Sequence, residues 1–376
     1  MVRAWFTVTT PLFMGGALPE ERLEIRPPSV RGTCRFWFRA MKLNAFAEED
    51  RLFGSTRSQG LVATRVVSRV QTVQAGEELW GSADAYLAYG LVRAVSVRRA
   101  PGSPPGQGAR SSRMEIRSTR PYGKPGGTLE VHCHFKPEAS EDDRVQVSRA
   151  LWLLGTLGGL GARSRRGLGS VSLERLEGPG VAPPAADPEA LKNQLVRNLT
   201  AWCCPLKPSL PDYTAVSGLT RVLVGSRVRR DWRSALTDIG TRLKDHRSYL
   251  APSRHYADDH DLVLGYLQGR RPSTPPARAI FGLPHNYYFR RTGQKAGISA
   301  ESLKRRGSPL LIHIHRYPGD QWGWVVSFLP ATFLPPGVKL CFTGERGPVH
   351  VDPGGWEPIH RFLGELKGES LEVNLA

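Results

Sequence analysis

The residues best suited to do chemistry in this sequence stand in one glycine-rich, basic stretch, Leu151 to Val171 (LWLLGTLGGLGARSRRGLGSV). Glycine lets the backbone adopt φ > 0 and approach a ligand closely, and arginine makes bidentate contacts to phosphate oxygens while it stays charged. Backbone N–H groups in such a loop also form anion-binding concavities. The stretch therefore predicts binding of a phosphodiester chain. The candidate binding residues are Gly158, Gly159, Gly161, Arg163, Ser164, Arg165, Arg166, Gly167 and Gly169.

Two common nucleotide-binding patterns do not fit this glycine loop (Gly158 to Gly169). It contains no Gly-Lys-Ser/Thr, which Walker A requires, and its glycines follow a predicted helix, whereas those of the dinucleotide fingerprint open one. We therefore do not expect a mononucleotide cradle. The alternative hypothesis is a cluster of C-cap glycines beside solvated arginines.

A second group of cations lies on a predicted helix near the N-terminus. Ser29 is its expected N-cap, and apolar residues from Val30 to Met41 recur at helical spacing. Cations form a second stripe beside the apolar one, and further cations flank the helix in the chain. The alternative is a solvated charged face. The candidate phosphate-binding residues of this region are Arg26, Arg31, Arg35, Arg39, Lys42 and Arg57.

A third basic region mixes aromatic rings with cations, a combination that stacks bases and neutralises phosphates. Tyr287 and Tyr288 supply the rings, and their burial in the core is the alternative. The candidate cations are Arg290, Arg291, Arg305 and Arg306.

The overall charge agrees with a polyanionic partner. The 376 residues include 52 basic and 34 acidic side chains, a net charge of +18. Such an excess indicates nucleic acid or an anionic surface. No apolar run reaches the length of a transmembrane helix, and Ala4 to Thr10 reads as an opening strand instead of a signal peptide. We expect no membrane association.

Metal and cofactor sites are not predicted. His132 with His134 and His313 with His315 each share a strand face, but no convincing third ligand lies nearby in the sequence. Five cysteines without framework spacing indicate a reducing, cytoplasmic environment.

The predicted elements that position these residues follow the order strand, helix, strand, strand, helix, strand in the first half. This order is typical of the ferredoxin-like (βαββαβ) fold, which also underlies RRM domains. A proline- and glycine-rich linker, Gly178 to Asp187, predicts two domains, at residues 1–180 and 187–376. Arg98 to Thr128 is expected to be a long basic loop or hairpin tip. The fold class is therefore α+β, with two ferredoxin-like domains and long loop insertions.

Several motifs together resemble one family. They are TPLFMGGA (Thr10 to Ala17), EIRPPSVRGTCRFWFRAM (Glu24 to Met41), LFGST (Leu52 to Thr56), YLAYG (Tyr86 to Gly90), GGLGARSRRGLGSV (Gly158 to Val171), and FGLP with RRGSPL (Arg305 to Leu310). In this order they resemble the first RAMP subunit of the Cmr complex, the type III-B CRISPR effector.

The resemblance implies a non-catalytic RNA-binding subunit of an antiviral effector complex. It implies contact with the 3′ part of the guide RNA, capture of complementary target RNA, and docking against other RAMP subunits. Two alternatives stay open. One is a metal-independent RAMP endoribonuclease that processes guide RNA with His246, His255, His260 or His285 as its base, and the other is an assembly scaffold.

Overall fold

The computed structural model describes residues 1–78, 80–97, 113–203, 206–250, 253–344 and 347–375 of the chain. The strands are β1 (Val2–Val8), β2 (Val62–Arg69), β3 (Thr72–Val73), β4 (Val92–Val97), β5 (Arg113–Ser118), β6 (Tyr122–Gly123), β7 (Thr128–Phe135), β8 (Val171–Glu177), β9 (Arg221–Gly225), β10 (His285–Tyr288), β11 (Lys295–Ala300), β12 (Leu310–Tyr317), β13 (Gln321–Phe328), β14 (Leu340–Thr343), β15 (Val349–Val351) and β16 (Ser370–Val373). The helices are α1 (Pro27–Met41), α2 (Phe46–Phe53), α3 (Ser82–Leu87), α4 (Glu141–Leu157), α5 (Pro188–Trp202), α6 (Trp232–His246), α7 (Ala257–Leu267) and α8 (Glu357–Leu366).

The first sheet has the ferredoxin-like arrangement. Its strands lie in the order β2-β7-β1-β8, every neighbouring pair is antiparallel, and the chain order is β1, α1, β2, β7, α4, β8. Every second residue of β1 is buried, as a strand with one face on a core requires. The apolar stripe of α1 is buried with α4 in the same core. The α+β class predicted from the sequence is confirmed.

The second half repeats this arrangement. Its sheet has the order β12-β13-β9-β16, again with antiparallel neighbours, and α6 and α8 stand where α1 and α4 stand in the first half. A further sheet, β10-β11-β14-β15, is inserted into this half. The predicted domain limits stay a prediction, because one hydrophobic core takes residues from both halves, for example Val131 and Val325.

Helix caps were predicted well, with one error. Ser140 and Asp143 form the expected capping box of α4, and the Asp187 and Asp231 side chains accept from the first turns of α5 and α6. Ser29, however, is not the N-cap of α1. The helix begins at Pro27 with Arg26 as N-cap, because proline is favoured at the first helical positions.

The basic segment Arg98 to Thr128, predicted as a long loop or hairpin tip, agrees with the hairpin alternative. Strand β4 precedes the segment and pairs antiparallel with β5 inside it, and β6 follows before β7. Residues 98–112 of this segment lie outside the described residues. In the part of the chain that the structure describes, helices long and apolar enough to cross a bilayer are not found.

The two ferredoxin-like sheets meet at the glycine loop. Strand β12 is an edge of its sheet, and its free edge faces the loop and β8. The N–H of Ile312 donates to the carbonyl of Arg165 (3.0 Å), and the N–H of Ile314 donates to Ser170 Oγ (3.0 Å). The edge N–H groups, which would otherwise invite pairing with another chain, are thereby satisfied.

Candidate nucleic-acid interface

Backbone hydrogen bonds close the glycine loop at its base and at its tip. Helix α4 ends at Leu157, and the N–H of Leu160 donates to the carbonyl of Gly169 across the base of the loop (2.8 Å). The N–H of Arg166 donates to the carbonyl of Arg163 at its tip (2.7 Å). Arg163 itself has φ 61°, a left-handed conformation that is uncommon outside glycine. The predicted order of helix, loop and strand is confirmed.

The glycines of this loop serve packing more than ligand approach. A Cβ on Gly161 would lie 2.2 Å from the carbonyl oxygen of Phe13, and one on Gly169 would lie 2.0 Å from that of Leu160. Gly167 packs against Leu236 and is buried. Protein atoms already surround Gly167 and Gly169, so a ligand contact by these two residues stays a prediction.

The three arginines of the loop lie in different surroundings. Arg163 is exposed, whereas Arg165 and Arg166 are half-buried. The Arg165 guanidinium donates to the carbonyl of Ser308 and stacks on the Phe36 ring, 5.3 Å from its centroid. Arg166 interacts with the Tyr86 side chain. Arg165 is thus partly structural, and Arg163 and Arg166 are freer to meet a ligand.

Positive charge accumulates around the loop without a matching carboxylate. Burial, and next the charge of Arg247, lower the pKa of Arg166 to about 10. Burial, and next the charge of Arg306, lower the pKa of Arg165 to about 10. Burial and the nearby Arg305 and Arg247 also lower the pKa of Arg163. All of these groups stay protonated at neutral pH, so they repel one another.

This cation cluster, which we define as Arg163, Arg166, Arg247 and Arg305, lacks an ion pair to any Asp or Glu within the described ranges. Half-buried like charges without a counterion are costly, and an anion that bound there would relieve the cost. A phosphate group suits it, since arginine matches phosphate geometry bidentately. The arrangement can therefore hold a polyanionic backbone at this surface.

Sequence reasoning missed three residues of this surface. Arg247, the C-cap of α6, lies over the Tyr86 ring, 5.9 Å from its centroid, and Tyr89 is 67% exposed and near Arg163. The two tyrosines belong to the YLAYG motif, which had been noted without a role. Arg247 gave no sequence signal, because only the tertiary fold brings α6 to the loop. An exposed tyrosine beside cations is a platform on which a base can stack.

A cleft of about 250 Å³ separates α1 from the glycine loop. On the α1 side it is lined by Ser29, Gly32 and Thr33. On the loop side it is lined by Gly158, Gly159, Gly161, Ser164 and Arg165. These five predicted binding residues of the glycine loop therefore line one cleft. Arg26 and Arg31, which flank the lining residues of α1 in the chain, are exposed.

The remaining cations of α1 are neutralised by α2. The buried Glu49 accepts from Arg39 Nε (2.7 Å) and Arg35 Nε (2.8 Å), and Glu48 accepts from Lys42 Nζ (2.6 Å). Arg35 Nη2 also lies 3.2 Å from Asp50 Oδ1. Burial alone would raise the pKa of Glu49, but the hydrogen bonds from Arg39 and Arg35 outweigh burial and lower it. Arg35, Arg39 and Lys42 are thus not free cations, and an RNA contact by them stays a prediction.

Replacing Glu49 with glutamine is expected to destabilise the protein by about 3 kcal/mol, because breaking a buried ion pair leaves its cations uncompensated. Urea denaturation at neutral pH measures the effect. The exposed Glu48→Gln, which breaks only the Lys42 pair, should change the free energy of unfolding by under about 1 kcal/mol. Equal effects of the two substitutions would contradict this assignment.

The other predicted cations lie apart from the cation cluster or are only partly available. Arg57, Arg290 and Arg291 are exposed in loops, and the described residues show no contact between them and the glycine loop. Arg306 donates through Nε to the carbonyl of Phe333 (2.7 Å), so its guanidinium has a structural task. Tyr287 is buried, as the alternative held, whereas Tyr288 is 61% exposed.

A buried histidine pair supports the glycine loop from β12. His313 Nδ1 lies 2.6 Å from the carbonyl oxygen of Gly158, and His313 Nε2 lies 3.3 Å from His315 Nδ1. Burial lowers the pKa of His313 to about 4, and burial followed by the neighbouring His313 holds the pKa of His315 well below its ordinary value. Both imidazoles are therefore neutral in the folded protein at neutral pH. Each takes up a proton more readily when the chain unfolds.

The free energy of unfolding is expected to fall as the pH drops from about 6.5 toward 4. In this range the two imidazoles bind protons in the unfolded chain but stay neutral in the folded chain. The slope is at most about 1.4 kcal/mol per pH unit for each histidine. Urea denaturation between these pH values measures it. His313→Gln should flatten the profile, whereas the exposed His134→Gln should leave it unchanged. An identical slope in wild type and His313→Gln would refute the role of the pair.

The other histidines are dispersed over the molecule. His132 contacts Glu130 (2.7 Å), and His260 contacts Asp261 (3.0 Å). One group whose ligand atoms lie within 4.8 Å of one another, and which the sequence did not predict, joins His246, His255 and Glu365. His285 comes near the cation cluster: burial, then Arg247 and Arg278, hold its pKa well below the ordinary value, and Arg166 contributes.

Comparison with known proteins agrees with the resemblance seen in the sequence. Residues 5–172, which include the glycine loop, match the family model of the RAMP superfamily. The CRISPR system Cmr subunit Cmr1-1 of Pyrococcus furiosus is 24% identical over 340 residues, which cover 85% of this chain and 84% of that protein. Subunit Cmr1-2 of the same organism is 28% identical over 187 residues, or 44% of this chain and 91% of that protein.

Solved structures share the fold of this chain. The crystal structure of Cmr1 from Pyrococcus furiosus in its apo form aligns with 99% of this chain and 97% of its own, at 19% identity and a TM-score of 0.54. A chain in a cryo-EM structure of the type III-B Cmr-beta complex bound to cognate target RNA aligns over 98% of both chains, at 12% identity and a TM-score of 0.51. The resemblance to the first RAMP subunit of a type III-B Cmr complex is confirmed.

Proposed function

We propose that this chain is the non-catalytic RNA-binding subunit at one end of a type III-B Cmr effector complex. There it contacts the 3′ part of the guide RNA and helps to capture complementary target RNA in antiviral defence. Its partners are guide RNA, target RNA and other RAMP subunits of the complex. The single observation that supports the proposal most is the cation cluster beside the glycine loop, in which two arginines are half-buried and none pairs with a carboxylate in the described part of the chain.

The surface fits single-stranded RNA better than a small anion. Arg163 and Arg305 are exposed, Arg166 and Arg247 are half-buried, and the exposed Tyr89 adds an aromatic ring, so the surface offers both phosphate contacts and a base platform. Sequence-independent binding of this kind depends on released counterions. The net charge of +18 extends the attraction beyond the site.

Filter binding of labelled single-stranded RNA to the purified full chain tests the proposal. We expect retention at low salt, with the logarithm of the binding constant falling by about 0.7 for each contacted phosphate per tenfold increase in salt. The RNA should stay intact with and without EDTA. A chain that retains no RNA at low salt would favour the assembly scaffold and overturn the proposal.

One observation favours a second candidate, the metal-independent endoribonuclease. His285 stands close enough to Arg166 and Arg247 for their charges to lower its pKa, so an imidazole and electrophilic cations share one region. An imidazole titrating far below neutral pH is, however, a weak general base. RNA cleavage that survives EDTA and disappears in His285→Ala would establish this candidate. If RNA remains intact with the wild type and with His285→Ala, RNA binding alone remains as the function.

A further inference from the structure

Three side chains that sequence reasoning had not grouped converge at the ends of α6 and α8. His246 closes α6, Glu365 lies in the last turn of α8, and His255 lies in the turn between α6 and α7. The His246 Nδ1 atom lies 2.9 Å and 3.0 Å from the two oxygens of the Glu365 carboxylate. The His255 Nδ1 atom lies 3.5 Å from Oε1 of the same carboxylate. Three donor atoms on separate segments thus face one point.

The second ring nitrogen of His246 also has hydrogen-bond partners. Its Nε2 lies 3.1 Å from the carbonyl oxygen of Pro358 and 3.0 Å from the Tyr256 hydroxyl. A carbonyl only accepts hydrogen bonds, so the tautomer that uses it carries its proton on Nε2 and leaves a lone pair on Nδ1. That lone pair faces carboxylate oxygens at hydrogen-bond distance, and two acceptors at this separation require a cation between them.

A proton satisfies this requirement, and so does a metal ion. With the proton on Nδ1, the imidazole donates to Glu365 and accepts from Tyr256. With the proton on Nε2, the ring donates to the Pro358 carbonyl, and the free Nδ1 lone pair is the ligand that a metal ion needs. Metal-bound histidines usually donate their second N–H to a backbone carbonyl or carboxylate, as the Pro358 carbonyl allows here.

We propose that His246, His255 and Glu365 form a binding site for a divalent transition-metal ion, with Zn²⁺ as the best match. Two imidazoles and one carboxylate are a common zinc ligand set, with a fourth position open to water. His246 is buried, while the His255 and Glu365 side chains are 30% and 40% exposed, so an ion can enter from solvent. The ion would tie the end of α6 to α8.

The site is independent of the RNA surface but adjacent to it in the chain. Arg247 of the cation cluster directly follows His246 and caps the same helix. An ion on His246 would therefore fix the segment that presents Arg247, without touching RNA. The proposal concerns a structural ion and involves no reaction step.

Metal content of the full chain tests the site. The protein is stripped with a chelator, dialysed against one equivalent of Zn²⁺ and assayed by elemental analysis, and Co²⁺ is added to a second sample to record the intense visible absorption of a tetrahedral N/O site. We expect one bound ion per chain and a rise in melting temperature with Zn²⁺, since a ligand that binds only the folded state stabilises it.

Two partly exposed ligands give variants that should fold. His255→Gln and Glu365→Gln are expected to lose the bound ion and the Zn²⁺-dependent rise in melting temperature. His260→Gln is the matched control, because this half-buried histidine pairs with the exposed Asp261 outside the cluster. Equal zinc content in wild type and both ligand variants, or none in any of them, would overturn the proposal.

Discussion

Simultaneous replacement of Arg163, Arg166 and Arg247 with alanine is expected to weaken single-stranded RNA binding by at least roughly a hundredfold. Each hydrogen bond to a charged group contributes about 1.5–3 kcal/mol, and neighbouring contributions do not add in full. The slope of the logarithm of the binding constant against the logarithm of the salt concentration should also become shallower, by about 0.7 for each lost phosphate contact. Filter binding over a range of salt concentrations measures both effects.

The same triple variant should fold at least as well as the wild type. The charge of Arg247 lowers the pKa of Arg163 and of Arg166, and Arg163 also lowers that of Arg166, so truncation removes repulsion and a desolvation cost. A melting temperature that is unchanged or higher is therefore expected. Arg165 is left intact, because its contacts with Ser308 and Phe36 support the fold.

A second triple variant controls for net charge. Arg69, Arg270 and Arg271 are exposed and lie outside the candidate interface, so their replacement with alanine removes the same three charges. We expect only a small loss of RNA affinity. An equal loss in both triple variants would mean that RNA responds to the overall charge of the chain, and the assignment of the cation cluster would be wrong.

Gly169→Ala is expected to destabilise the protein by about 2–5 kcal/mol, the range of substitutions that combine backbone strain with a steric clash. Gly169 has φ 60°, and the new Cβ would lie 2.0 Å from the carbonyl oxygen of Leu160. That carbonyl belongs to the residue whose N–H closes the base of the glycine loop, so the clash would open the loop. Urea denaturation measures the loss.

Gly126→Ala separates the two causes. Gly126 also has a positive φ, 92°, but a Cβ there would meet nothing within 4 Å. Its substitution should cost only the backbone strain, about 1–2 kcal/mol. If Gly169→Ala cost no more than Gly126→Ala, the close packing at the base of the loop would not be what requires glycine.

Local patterns allowed much of the fold to be predicted. The α1 stripe, the Ser140 capping box and the alternation of β7 each depend on residues a few positions apart, where side-chain direction follows from helix or strand geometry. The order of these elements then indicated the ferredoxin-like arrangement. The N-terminal end of α1 was misplaced because Ser29 and Pro27 are both good start signals, and the prolines decided the outcome.

The site was less predictable, because charge compensation is tertiary. Arg35 and Arg39 look like free cations in the sequence, but a short helix that was not predicted brings the buried Glu49 against them. Arg247 carries no motif and reaches the cluster only through the packing of α6. Glycine composition revealed where the backbone turns, but not that neighbouring chain segments would fill the space beside Gly167 and Gly169.

The coverage of β12 by the glycine loop limits how this surface can respond to a ligand. Displacing the loop would remove the hydrogen-bond acceptors of the Ile312 and Ile314 N–H groups and expose the unpaired edge of β12. An exposed strand edge favours self-association of the protein. If RNA binds this surface as proposed, the loop is therefore expected to keep its shape and the RNA to adapt to it.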